Sequence, residues 1–99
     1  MNNIESTTEK IIRVEERKAD GYEYKYELTV RESKRVASFS IPLYSVSVKM
    51  TQNGNVITYA KIDEVFSDVK KANAFFDKIV KNLATPIDLS YVLEDSITV

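Results

Sequence analysis

Apolar and polar residues alternate along most of residues 10–62, which is the pattern of β-strands with one buried face. The alternation is clearest in residues 22–30, where tyrosine, leucine and valine alternate mainly with charged residues, and in residues 44–50. An Asp-Gly pair at 20–21 and an Asn-Gly pair at 53–54 interrupt it, and such pairs favour tight hairpin turns. The pattern predicts four antiparallel strands joined as a meander of two hairpins.

Two registers are open for the first hairpin. A two-residue Asp-Gly loop mixes charged and apolar residues on both faces, whereas a three-residue loop at residues 19–21 aligns apolar residues with apolar residues. The second register also sets three pairs of opposite charge across the strands, each contributing about 0.2–1 kcal/mol. We therefore expect the three-residue loop, with an inner face made of Ile12, Val14, Tyr24, Tyr26, Leu28 and Val30.

The second hairpin is expected to turn at Asn53-Gly54 in a two-residue type I′ geometry. If that register continues along both strands, Met50 lies opposite Ile57 and the two share the packed face. The packed face then consists of Tyr44, Val46, Val48, Met50, Ile57 and Tyr59. The other face stays open, and we expect a protein partner to bind its small and apolar residues, Val56, Thr58, Ala60 and Ile62.

Two helices are predicted after the strands. Apolar residues recur at helical spacing over residues 69–83, with Ser67 as the expected N-cap. Thr85, Pro86 and Asp88 favour a second helix start with a capping box in its acidic form. The sequence thus predicts an α+β fold: a four-stranded antiparallel β-meander covered on one face by a C-terminal helix pair. We expect one domain over residues 10–99, after a disordered tail at residues 1–9.

The composition removes most catalytic chemistry. The chain has no cysteine and no histidine, so disulfides, thiol nucleophiles and the commonest general base are excluded. Both glycines belong to the turns, which argues against a glycine-rich phosphate loop. We expect a protein that is not an enzyme and has no catalytic residue and no cofactor. A hard cation held by Asp63, Glu64 and Asp68 is a minor alternative.

The same features set the expected location. No apolar run is long enough to span a bilayer, and the polar start of the chain lacks the apolar core of a secretory signal. We therefore expect a cytoplasmic protein with no membrane partner. The leading interpretation is a small protein-interaction or regulatory module of unknown specific role, with a protein partner or a second copy in a homodimer. Glu94 and Asp95 add to the expected interaction surface, because a helix dipole disfavours acids at the C-terminal end.

A nucleic-acid-binding module is the alternative from a different class. It would use Arg31, Lys34 and Arg35 together with the helix lysines, Lys70, Lys71, Lys78 and Lys81. The net charge of −1 and the pI of about 5.5 argue against it. The alternating tyrosines also fit a half-buried strand better than an exposed platform for stacking bases.

The end of the chain resembles that of a family of small uncharacterised proteins from spore-forming bacteria. The resemblance lies in Lys81-Asn82, Thr85-Pro86, Leu89, Val92 and Glu94-Asp95, and residues 44–68 are similar as well. It implies a shared fold and a bacterial cytosolic setting, but no activity. Asp88 stands where that family often has a histidine, so a role of that histidine is not carried over.

Overall fold

The computed structural model describes residues 9–36 and 39–97, and the side chains of residues 33–36, 39–40 and 95–97 lie outside that description. The described elements are β1 (Lys10–Ala19), β2 (Tyr22–Val36), β3 (Phe39–Gln52), β4 (Asn55–Phe66), α1 (Val69–Lys81) and α2 (Leu89–Ile97). The strands form one antiparallel sheet in the order β1-β2-β3-β4. Both helices pack on one face of it. The predicted α+β meander is confirmed, while residues 1–8 of the predicted tail fall outside the described residues.

The first hairpin adopts the two-residue register, so the expected three-residue loop is wrong. Ala19 pairs directly with Tyr22. The two turn residues have positive φ angles, 55° at Asp20 and 83° at Gly21, which is the type I′ geometry. An extra residue at Ile12 then forms a β-bulge, and the pairing resumes with its register shifted by one residue.

In the observed register, the two faces of β1 are exchanged relative to the predicted register. Arg13 lies on the packed face, whereas Val14 is exposed on the other face. α1 supplies partners for the Arg13 side chain on that face. The Arg13 guanidinium lies 4.7 Å from the centre of the Phe76 ring. The same group donates to Asn73 at 3.0 Å and pairs with Asp77 at 2.8 Å. On an edge strand, its alkyl stem covers apolar surface while the charge meets partners on α1.

The second hairpin starts as predicted and then departs from the predicted register. Asn53 and Gly54 have φ angles of 53° and 79°, so the type I′ turn is confirmed. Ile57 is then an extra residue in β4, and Met50 pairs with Thr58 instead. Because successive side chains of a strand point to opposite faces, this one bulge exchanges the two faces of β4 beyond it.

The bulge moves most of the predicted interaction residues to the packed face. Thr58, Ala60 and Ile62 lie there, with Ala60 and Ile62 packed against the core, so their expected placement on the open face is wrong. Val56 does lie on the open face and is 57% exposed. Tyr59 was expected inside the fold, but it is 55% exposed on the open face.

We expect Ala60→Glu to lower the free energy of unfolding by about 2–3 kcal/mol, because it forces a carboxylate onto the packed face opposite Val48. Tyr59→Glu, at the neighbouring position, should change it by less than about 1 kcal/mol because that side chain is largely in solvent. Urea denaturation of the two variants measures the difference. Equal losses, or a larger loss for Tyr59→Glu, would restore the register predicted from the sequence.

The helices close the packed face with well-defined ends. Asp68 is the N-cap of α1 in place of the expected Ser67, and its side chain accepts from the Lys70 amide at 2.9 Å. Thr85 and Asp88 form the predicted capping box through reciprocal hydrogen bonds of 3.2 Å. The centre of the core comprises Tyr26, Leu28, Val46, Val48, Phe76, Ile79 and Leu89. Tyr24 and Tyr26 are buried, as predicted, and so are not a base-stacking platform.

Candidate functional site

The face of the sheet opposite the helices, which we call the open face, is the candidate site. Its side chains form three rows across the strands: Val14–Glu27–Ser47–Lys61, Glu16–Lys25–Lys49–Tyr59 and Lys18–Glu23–Thr51–Val56. Acidic and basic residues make up most of these rows, and the apolar and aromatic residues lie on the two edge strands, β1 and β4. The open face is therefore a charged surface, in place of the small, half-apolar one that the sequence led us to expect.

Small polar residues occupy the middle of the open face. Thr29, Ser45 and Ser47 are buried there, and the Ser45 hydroxyl accepts from the Glu64 amide at 2.8 Å. That bond holds a bulge in β4 in which Glu64 has a φ angle of 52°. Among the side chains that the structure describes, Thr29 keeps a buried hydroxyl oxygen without a hydrogen-bond partner.

Ion pairs occupy the end of the open face that lies away from the two turns. Lys61 pairs with Glu9 at 2.9 Å and with Asp63 at 3.4 Å. Its hydrogen bond to Glu9 is the main reason why the pKa of Lys61 is raised, although burial opposes the rise. The Lys61 ammonium therefore stays charged to a higher pH than that of an ordinary lysine, in keeping with its two carboxylate partners. Arg31 is likewise paired, with Glu64.

A groove of about 550 Å³ lies at the other end of the open face, towards the turns. Its lining includes Lys18, Glu23, Lys25, Lys49 and Thr51, which come from three strands. Its size falls in the range of ordinary ligand sites, but its lining is charged where small-molecule sites are mostly apolar. The groove is thus better suited to a polar or charged group than to an apolar ligand.

Lys25 and Lys49 lie directly opposite each other in the groove. Lys25 has a carboxylate neighbour, Glu27, at 3.6 Å, and Lys18 has Glu23 at 3.8 Å. Within residues 9–36 and 39–97, no described carboxylate lies within ion-pairing distance of the half-buried Lys49. The groove therefore contains a pair of like charges, one member of which has no counterion.

The family model of a family of unknown function, DUF6514, matches residues 5–99. The chain belongs to this family. The match includes every strand and helix described above, so the open face and the packed core both lie within the family's domain. The expected membership of an uncharacterised family is confirmed at this level. No curated protein and no solved structure matches the chain.

Of the other predicted site residues, those whose side chains the structure describes do not line the groove. Glu94 is exposed on α2, which packs on the opposite face of the sheet, and the side chain of Asp95 lies outside the described ones. Of the alternative nucleic-acid site, Arg31 is engaged by Glu64, while the side chains of Lys34 and Arg35 are also outside the description. The two described ones, Arg31 and Glu94, therefore lie on opposite sides of the sheet.

The open face presents charged, hydroxyl and exposed aromatic side chains. In the described part of the chain, no three Asp or Glu residues lie close enough together to hold a metal ion, which includes the acidic residues 63–68. Neither α1 nor α2 has the length and hydrophobicity needed to cross a membrane. Sequence reasoning missed Lys25, Lys49 and Tyr59 as site residues, because their alignment depends on how β2 pairs with β3 and where β4 bulges.

Proposed function

We propose that this DUF6514 protein is a non-catalytic module that binds a protein partner through the open face of its sheet. The observation that carries the proposal is the charged groove on a face that neither helix covers. Tyr59 and Val56 border this face and are 55% and 57% exposed. Exposed aromatic and apolar side chains beside polar ones are typical of protein-binding surfaces, in which tyrosine is enriched.

The dimensions of the open face support a protein as the occupant. Four strands of 10–15 residues, at a spacing of about 4.8 Å and roughly 3.3 Å per residue, give a face of roughly 600–950 Å². A standard protein interface buries roughly 800 Å² on each partner. The open face and its borders therefore provide enough surface for a specific contact of modest size.

The mixture of charges favours a protein over a nucleic acid. Glu16, Glu23 and Glu27 lie among the lysines of the same rows, so a phosphate backbone laid across the face would meet carboxylates as well as cations. The pairing of Arg31 with Glu64 also reduces the positive charge that the nucleic-acid alternative relied on. A protein partner presents charges of both signs and can match this pattern.

The absence of cysteine and histidine from the chain supports the non-catalytic part of the proposal. The resemblance of the C-terminal residues supports the bacterial, cytoplasmic setting. In that setting we propose a regulatory or adaptor role, in which the chain acts by occupying a partner's surface. The partner is taken to be a different protein, and a homodimer is one of the outcomes that the test distinguishes.

Two tyrosines offer a matched test of the open face. We expect tagged wild-type protein and the Tyr91→Glu variant to recover the same protein from a lysate of the native organism, whereas Tyr59→Glu loses most of it. Tyr91 is 66% exposed on α2, on the other side of the molecule, so both variants replace an exposed tyrosine with the same charge. Mass spectrometry of nuclease-treated and untreated samples measures the recovery.

Three outcomes would contradict the proposal. Recovery that disappears on nuclease treatment would transfer the function to nucleic-acid binding. If both variants, Tyr59→Glu and Tyr91→Glu, lose the partner equally, or if neither loses it, the open face is not the binding surface. Recovery of the chain alone, together with a doubled mass in light scattering, would make the protein a homodimer without a separate partner.

A further inference from the structure

We infer that the groove around Lys25 and Lys49 binds an acidic segment of the partner, with a carboxylate of that segment placed between the two ammonium groups. The inference rests on the proposed function and adds the chemistry by which the partner is recognised. It places the centre of binding in the row Glu16–Lys25–Lys49–Tyr59.

Lys25 and Lys49 pair directly across β2 and β3. Like charges directly opposite each other in an antiparallel sheet destabilise it. The two positions lie in the middle strands, where neighbours on both sides limit how far the side chains can move apart. A negative group between them converts the repulsion into two attractions.

Among the residues that the structure describes, no acid fills this role for Lys49. Its diagonal neighbours on β2 are Glu23 and Glu27, which pair with Lys18 and Lys25. Glu16 faces Lys25 from β1, two strand spacings or roughly 10 Å away from Lys49. The ammonium of Lys49 therefore has no carboxylate partner among the described residues and is available to a carboxylate of the partner.

The surroundings of Lys49 suit a peptide segment. Thr51 supplies a hydroxyl on the same strand face, and Tyr59 provides an exposed ring directly beside Lys49. The ammonium and the hydroxyl can bind a carboxylate of the peptide, and the tyrosine ring can contact apolar side chains next to that carboxylate. Glu16 and Glu23 also line the groove, so they would repel the uninterrupted charges of a phosphate backbone more than the carboxylates of a peptide, which neutral residues separate.

The test uses the full chain and a defined probe, an acetylated and amidated peptide of alternating glutamate and valine. We expect saturable shifts in the backbone amide NMR signals of Lys25, Lys49 and Thr51, and at least a tenfold weaker Kd for Lys49→Gln. Lys71→Gln, which removes the same charge from an exposed position on α1, should bind as the wild type does. A peptide of alternating lysine and valine should leave the signals unchanged.

A second readout separates a binding role from a structural one. Because Lys49→Gln removes the repulsion from Lys25, we expect its Tm to rise by about 2–4 °C at low salt, and the rise to shrink in 1 M NaCl. A lowered Tm, or unchanged affinity for the acidic probe, would overturn the inference. Self-association of the wild type that Lys49→Gln abolishes would also overturn it, in favour of a second copy as the occupant.

The two proposals fail in distinguishable ways. If Tyr59→Glu loses the cellular partner but Lys49→Gln retains it, the proposed function stands and the acidic-segment inference is wrong. If neither variant loses a partner and the acidic probe still binds through Lys49, the groove binds anions but the open face is not the protein-binding surface.

Discussion

Phe76→Ala is expected to lower the free energy of unfolding by about 3–5 kcal/mol. The Phe76 side chain is 0% exposed and lies in the centre of the core between α1 and the sheet. Its removal leaves a cavity and also takes the ring away from the Arg13 guanidinium, 4.7 Å from its centre. Since a domain of this size is stable by roughly 5–15 kcal/mol, the loss is a large fraction of the total.

Urea denaturation followed by circular dichroism measures this loss, and Tyr91→Ala is the control. Tyr91 is also an aromatic residue of a helix, but it is 66% exposed, so its truncation should cost less than about 0.5 kcal/mol. A loss below about 1.5 kcal/mol for Phe76→Ala would contradict the packing described here. It would mean that α1 does not close the face of the sheet on which Leu28 and Val46 lie.

Alkaline pH is expected to destabilise the protein between about pH 10 and 12 because of Tyr26. Burial, with smaller contributions from Tyr24 and Asp88, raises the pKa of Tyr26 from 10.0 to about 12, although Arg17 opposes the rise. The folded state stabilises the neutral form of the Tyr26 hydroxyl, because that form donates a hydrogen bond to the Ala84 carbonyl at 3.0 Å. Below pH 10 both the folded and the unfolded states keep this proton, and the stability is complete.

As the pH rises above 10, the unfolded state loses the proton while the folded state retains it, so unfolding becomes more favourable. At about 1.4 kcal/mol for each pKa unit, a shift of about 2 units corresponds to a loss of roughly 2–3 kcal/mol by pH 12. Above pH 12 the folded state deprotonates as well, and this contribution stops changing.

Tyr26→Phe isolates this effect from the titration of the other tyrosines and the lysines. At pH 7 the variant should lose about 1–2 kcal/mol, because the buried Ala84 carbonyl loses its donor. From pH 10 to 12 its stability should fall less steeply than that of the wild type. Tyr91→Phe, at an exposed position, should follow the wild-type curve. Parallel curves for wild type and Tyr26→Phe would contradict the assignment of the alkaline loss to Tyr26.

The predictable part of the fold consists of features that depend on neighbouring residues. The Asn53-Gly54 turn follows from two residues that adopt positive φ readily, and its observed angles are those of the type I′ turn. The buried positions of β2 and β3 follow from strict alternation, as at Tyr26 and Val48. The capping box at Thr85 and Asp88 is likewise a local pattern, and the structure contains it one turn before α2.

The registers predicted for the two edge strands, β1 and β4, are wrong. A single extra residue at Ile12 in β1, and another at Ile57 in β4, changes which side chains face the core. For β1, cross-strand charge pairs favoured the wrong register by a few tenths of a kcal/mol each. The observed register places Arg13 against Phe76, Asn73 and Asp77 of α1, contacts between residues about sixty positions apart.

The sequence by itself determined the fold class, the order of the elements, the turns and the buried faces of the two middle strands, because periodicity and turn chemistry act over a few neighbouring residues. The tertiary structure decided the faces of the edge strands and the composition of the open face. Lys25 and Lys49 became a candidate site only through the pairing of β2 with β3, and Tyr59 only through the bulge at Ile57. Such alignments arise from packing between distant segments, which no local pattern records.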